Sequence, residues 1–135
     1  MLKRDIVLRW TQELAKVIGR LSGLDTGAAM PVLEEAYRAL LKVEPERLRE
    51  LPPEQVLSFL TEEKALNLGQ LEFLAELLAR EGTLLYESGE LVQSRDRLAK
   101  ALLIFGRVET EQEVFSFERQ ERMAGLRRRL DEMED

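Results

Sequence analysis

The side chains of this chain that could do chemistry are carboxylates and guanidiniums, because it contains neither histidine nor cysteine. Glu72, Glu76 and Arg80 follow one another at four-residue spacing, which places them on one face of a helix. Two such carboxylates could hold a metal ion or do acid–base work, but no Glu-x-x-His motif accompanies them. The pattern favours a solvated helix face, and we predict no catalytic, metal or cofactor site.

Composition excludes further classes of function. Without histidine, the chain lacks the commonest general base and the commonest transition-metal ligand. Without cysteine, it has no thiol nucleophile and no disulfide, which fits a cytoplasmic protein. A formal net charge of -6 disfavours nucleic acid as a partner. The basic run Arg127–Arg129 precedes acidic residues and is typical of a helix end whose cations suit the helix dipole.

The first 23 residues are amphipathic and carry several cations, a pattern that targeting and membrane-surface helices share. Asp5 and Glu13 interrupt the positive face, and no small-residue cleavage site follows. Apolar residues, Trp10 among them, recur at three- and four-residue spacing. A packed helix over Leu2–Leu21 is therefore favoured, and no membrane partner is expected.

The chain as a whole is predicted to be one all-α domain over residues 1–135. Leu, Ala, Glu, Arg and Lys dominate, whereas aromatic and β-branched residues are sparse. The N-terminal helices should occupy residues 2–60, with Pro31 in the first turn of the second helix. Pro45 and Pro53 suit the first positions of two short helices in a rigid elbow.

A helical hairpin is predicted over residues 67–105. Asn67 and Gln70 have the spacing of a capping box at its start. Gly89 stands where a residue in the left-handed conformation would end the first helix.

The end of the second hairpin helix is open to two interpretations. We favour a break at Gly106, after which Thr110 and Glu113 form a second capping box and begin a long C-terminal helix over residues 110–133. The alternative is one continuous helix from Leu91, in which Gly106 is tolerated at a cost of roughly 1 kcal/mol.

Small residues give the hairpin a recognisable pattern. Gly82 permits close approach of the two helices, Gly89 makes the turn, and Ser94 and Ala101 are the small residues of the second helix. With these positions, the segment Leu78–Phe105 resembles a tetratricopeptide repeat, a helix–turn–helix unit of about 34 residues. The resemblance implies a helical-hairpin array with one tetratricopeptide-like unit.

Other positions extend the resemblance and limit it. Leu85 and Leu98 stand at large apolar positions of the repeat, and 100-KAL-102 reproduces its closing signature. Glu81 stands where the repeat usually carries leucine, and the proline expected just past Phe105 is absent. No second copy is found at the proper period.

The order of parts along the whole chain is similar to that of a family of small bacterial proteins described as tetratricopeptide-like. The similarity implies the fold and a bacterial source, and it implies no activity. Its parts are 3-KRDIVLRWTQELAKVIGRLSGL-24, 34-EEAYRALLKVEPERL-48, 51-LPPEQVLSFL-60 and 74-LAELLAREGTLLYESGE-90.

Arg95 and Arg97 are candidate binding residues near the start of the second hairpin helix. They could bind an acidic peptide or phosphate on the concave side of a repeat, although a surface role is favoured where one repeat is present. Tyr37 and Tyr86 could line a pocket, but their helical spacing favours core packing, and the same holds for Trp10.

The segment 114-VFSF-117 departs from the apolar pattern of the last helix. That helix has a seam at Met123, Leu126, Leu130 and Met133, and Val114, Phe115 and Phe117 lie partly off it. An exposed patch with two phenylalanines usually marks an interface. We hypothesise that this helix contributes to a homodimer.

The function predicted from these patterns is a non-enzymatic protein–protein interaction or scaffold module that packs on another helix and self-associates. The competing prediction is a small-molecule-binding protein, or an enzyme that uses Glu and Arg in an internal cavity.

Overall fold

The computed structural model describes the backbone of residues 2–112 and 115–134, with side chains from Leu8 onward within those ranges. These residues form seven α-helices and no strand, which confirms the all-α prediction. The helices are α1 Leu2–Leu21, α2 Thr26–Leu41, α3 Pro45–Glu50, α4 Pro53–Ser58, α5 Leu68–Glu87, α6 Leu91–Glu111 and α7 Phe117–Glu132, with a π-helical turn, Phe59–Glu63, after α4.

The hairpin of α5 and α6 is the centre of the fold. A reciprocal capping box starts α5: the Asn67 side chain accepts from the amide of Gln70 at 2.8 Å, and the Gln70 side chain accepts from the amide of Asn67 at 2.9 Å. Helices α1 and α2 pack on α5, whereas α4 and α7 pack on α6. The hairpin therefore fixes where every other long helix lies.

Close approach of α5 and α6 depends on Gly82. A Cβ atom at this position would lie 2.6 Å from Cδ2 of Leu98, which is fully buried. The hydroxyl of Ser94 donates to the carbonyl of Gly82 at 2.6 Å, and Ala101 is also buried. The turn that follows α5 contains Gly89 with φ +81°.

The predicted break at Gly106 is wrong, because α6 runs without interruption to Glu111. Phe105 and Val108 are buried on either side of the glycine, and their packing outweighs its roughly 1 kcal/mol cost in a helix. The hydroxyl of Thr110 donates to the Gly106 carbonyl within α6, so it caps no new helix.

Consequently the C-terminal helix does not span residues 110–133. Helix α7 begins at Phe117, where the Ser116 side chain accepts from the amide of Arg119 at 3.2 Å and caps the helix. The predicted cap partner Glu113 lies outside the described residues.

The N-terminal helices hold one further departure from the sequence prediction. Pro31 lies inside α2 and not in its first turn, because Asp25 caps the helix by accepting from the amide of Ala28 at 2.9 Å. Pro45 and Pro53 begin α3 and α4 as predicted. No helix in the described ranges is long and apolar enough to cross a membrane.

Candidate functional site

The start of α7 presents two large aromatic side chains to solvent. Phe115 is 66% exposed and Phe117 is 67% exposed, whereas Ser116 between them caps the helix. We call Phe115 and Phe117 the phenylalanine patch. Because the cap fixes the backbone of this segment, the two rings remain exposed to solvent while the rest of α7 packs on α6. Val114, the third predicted interaction residue, lies outside the described residues.

A buried arginine fixes the first turn of α7 against α5 and α6. The Nε atom of Arg119 donates to Glu109 at 2.6 Å, and its Nη1 atom donates to Glu72 and to Gln112, both at 2.9 Å. The hydrogen bond from Arg119, followed by one from Gln120, lowers the pKa of the Glu109 carboxyl. The patch is therefore carried by an anchored turn.

The same contacts overturn the predicted solvated face on α5. Glu72 is half-buried beneath Arg119, and Glu76 accepts from Nε of Arg122 in α7 at 3.1 Å. Arg80 is exposed, and it makes no ion pair with the residues that the structure describes. The carboxylates thus join two helices that are distant in sequence.

A cavity of about 420 Å³ lies beside the patch, between α1, α5 and α7. We call it the tryptophan pocket. Trp10, Leu14 and Phe73 supply its apolar wall, and the rings of Trp10 and Phe73 lie 5.1 Å apart between centroids. Ser116 and Arg119 close it on the α7 side. Trp10 is 7% exposed and belongs to the core, as predicted, while also lining this pocket.

The second polar feature is a buried carboxylate in the hairpin, Glu81, which is only 1% exposed. Its Oε1 atom accepts from the hydroxyl of Tyr37 at 2.9 Å. Its Oε2 atom accepts from Nε of Arg97 at 2.7 Å and from Nε of Arg49 at 3.4 Å. We call these four residues the Glu81 cluster.

The cluster sets the protonation of its tyrosine. Burial, and next the charge of Glu81, raise the pKa of Tyr37 well above its ordinary value of 10.0. The hydroxyl therefore stays protonated and donates a hydrogen bond to Glu81. Tyr37 lies in the core as predicted, but it is a polar partner there as well as an apolar one.

The surface role expected for Arg97 is wrong. Arg97 is buried, and it bonds Asp96 at 2.6 Å in addition to Glu81. Asp96 also pairs at 2.8 Å with Lys100, which is 0% exposed and donates to the carbonyl of Leu48 at 2.8 Å. This chain of contacts ties α3 to the hairpin.

Arg95 is exposed as a surface residue should be, but its guanidinium is engaged. It donates to the backbone carbonyl of Met133, just past the end of α7. Arg95 and Arg97 therefore serve different parts of the fold and do not form one anion-binding pair.

An open cleft of about 640 Å³ borders the Glu81 cluster. Met30 and Val92 supply its apolar wall, and Glu34, Arg49 and Asp96 supply polar groups. Arg49 is held by Glu34 at 2.8 Å as well as by Glu81. The charged groups that line the cleft are paired with one another. The cleft is therefore a place where ion pairs hold neighbouring helices together.

No family model, curated protein or solved structure significantly matches this chain. Among the side chains of residues 8–112 and 115–134, no group of three or more carboxylates is placed to hold a metal ion.

Proposed function

We propose that this chain is a non-enzymatic interaction module whose phenylalanine patch packs against a helix on the surface of another protein chain. The observation that supports the proposal is the two-thirds exposure of both rings at an anchored helix start. Scattered apolar residues are normal on protein surfaces, but aromatic residues are enriched at interfaces.

The free energy that burial of the two rings would contribute also supports an interface. Burying a phenylalanine side chain completely stabilises by about 1.5–3 kcal/mol, so two rings that are two-thirds exposed offer roughly 2–4 kcal/mol on docking. The Ser116 cap and the Arg119 contacts order the segment before a partner arrives. Because less conformational entropy is then lost on docking, this preorganisation favours binding further.

Other parts of the proposal rest on the sequence. The absence of cysteine supports a cytoplasmic protein, and the order of sequence segments supports a bacterial tetratricopeptide-like module. The net charge of -6 supports a protein partner over a nucleic acid. The alternative, a small-molecule site or an enzyme at the Glu81 cluster, has weaker support because the charges of that cluster are paired within the chain.

Site-specific photo-cross-linking tests the proposal. A benzophenone side chain in place of Phe117 is expected to give cross-linked protein products in the native host, because residue 117 faces the partner. The matched control is the same side chain in place of Val92, which is 81% exposed and lies at the far end of α6, about 30 Å from Glu111 along the helix.

We expect few or no products from position 92. Equal yields from the two positions, or no products from position 117, would contradict the proposed function.

A further inference from the structure

The phenylalanine patch and the tryptophan pocket share one rim. Ser116 lines the pocket and is flanked in sequence by Phe115 and Phe117, yet neither ring is part of the pocket wall. The surface therefore carries a projecting aromatic group beside an aromatic-walled cavity that this group does not fill.

We propose that the partner is a second copy of this chain, and that Phe117 of each copy enters the tryptophan pocket of the other. This inference rests on the proposed function and names its partner. A two-fold interface uses the same patch on both subunits, so the patch must be complementary to itself. A projection and a cavity on one rim meet that requirement, because a single rotation seats both projections at once.

Charges around the rim fit the same arrangement. Glu118 and Glu121 are exposed on the first turns of α7, whereas Arg9 and Arg80 are exposed on α1 and α5. None of these four side chains has an ion-pair partner in residues 8–112 or 115–134, and the Arg9 guanidinium lies over the Trp10 ring. In the two-fold pair, the acidic start of α7 in one copy lies over the basic rim formed by α1 and α5 in the other.

The available area indicates a reversible dimer. A phenylalanine side chain offers about 150–250 Å² when it is buried, so the exposed parts of four rings supply roughly 400–650 Å². A stable interface of standard size buries about 1,200–2,000 Å² in total. The rings therefore supply roughly a fifth to a half of that area, and we expect dissociation in the micromolar range.

Two complementary variants test the inference. Phe117→Glu removes the projection and keeps the pocket, whereas Thr11→Trp fills the pocket from an exposed position on α1 and keeps the projection. Each variant alone loses both contacts of the dimer. A mixed pair keeps one contact, between Phe117 of the Thr11→Trp chain and the open pocket of the Phe117→Glu chain.

Fluorescence anisotropy gives the readout, because a chain without cysteine can be labelled at one introduced cysteine, such as Ser22→Cys in the exposed turn after α1. The mixed pair is expected to associate at least tenfold more tightly than either variant associates with itself. Val92→Glu serves as the control and should retain the wild-type affinity. Thermal melts verify that every variant is folded.

Mixed-pair affinity no greater than that of either variant alone would overturn the inference, as would a wild-type chain that stays at 15.6 kDa at all concentrations. A monomeric chain that still cross-links to a different protein from position 117 would overturn the second copy as partner while the proposed function stands. No cross-links at all would contradict both.

Discussion

Replacing Arg97 with methionine is expected to lower the free energy of unfolding by about 3 kcal/mol, because the buried Glu81 carboxylate loses its closest cation. Removing one partner of a buried ion pair costs about 3–5 kcal/mol, and we expect the lower end since Tyr37 and Arg49 still contact Glu81. Urea denaturation of the wild type and the variant measures the difference.

The matched control is Arg107→Met, which breaks an exposed pair with Glu111 on the next helical turn. Pairs of that kind contribute about 0–1 kcal/mol. Adding Glu81→Leu to Arg97→Met should restore part of the lost stability, because the buried carboxylate that lost its cation is then removed. A double variant that is no more stable than Arg97→Met alone would contradict the expected coupling.

The second large effect is expected at the two hairpin glycines. Gly82→Val should destabilise by about 1–3 kcal/mol through overpacking, since its Cβ atom would lie 2.6 Å from the buried Leu98 side chain. Gly89→Val should destabilise by about 1–2 kcal/mol through backbone strain, since a valine there must adopt a positive φ. Thermal melts of both variants measure the losses.

Two further substitutions, one of them at a third glycine, distinguish overpacking at Gly82 from backbone strain at Gly89. Gly19 lies in α1, and a Cβ atom added there would have no neighbouring atom within 4 Å, so Gly19→Ala should stabilise slightly or leave the melting temperature unchanged. The space opened by Leu98→Ala should partly rescue Gly82→Val and should not rescue Gly89→Val. Unchanged melting temperatures for both valine variants would undo these roles.

Local signals in the sequence were enough to predict most helix boundaries. Each of these signals acts within a few residues, so it can be identified from the local sequence. They are the Asn67 capping box, the prolines that begin α3 and α4, and the left-handed Gly89. The continuity of α6 could not be predicted in this way. It depends on burial of Phe105 and Val108 against other helices, which a local capping rule does not include.

The polar contacts of the interior were missed for the same reason. Glu81 bonds Tyr37 across 44 positions of sequence, and Arg119 bonds Glu72 across 47 positions, so helical periodicity carries no information about either pair. One signal was present in the predicted resemblance to a tetratricopeptide repeat, in which Glu81 stands where the repeat usually has leucine. A carboxylate at an apolar position of a packed hairpin requires buried cations, and Arg97 lies on the facing helix.

The central claim is that the two rings at the start of α7 mediate association with a second copy of this chain. Sedimentation equilibrium of the wild type and of the Phe115→Ser, Phe117→Ser double variant tests it directly, with thermal melts to verify that both are folded. The wild-type mass should rise with concentration from 15.6 kDa toward twice that value, and the double variant should stay at 15.6 kDa. Equal masses for the two proteins at every concentration would contradict self-association through these rings.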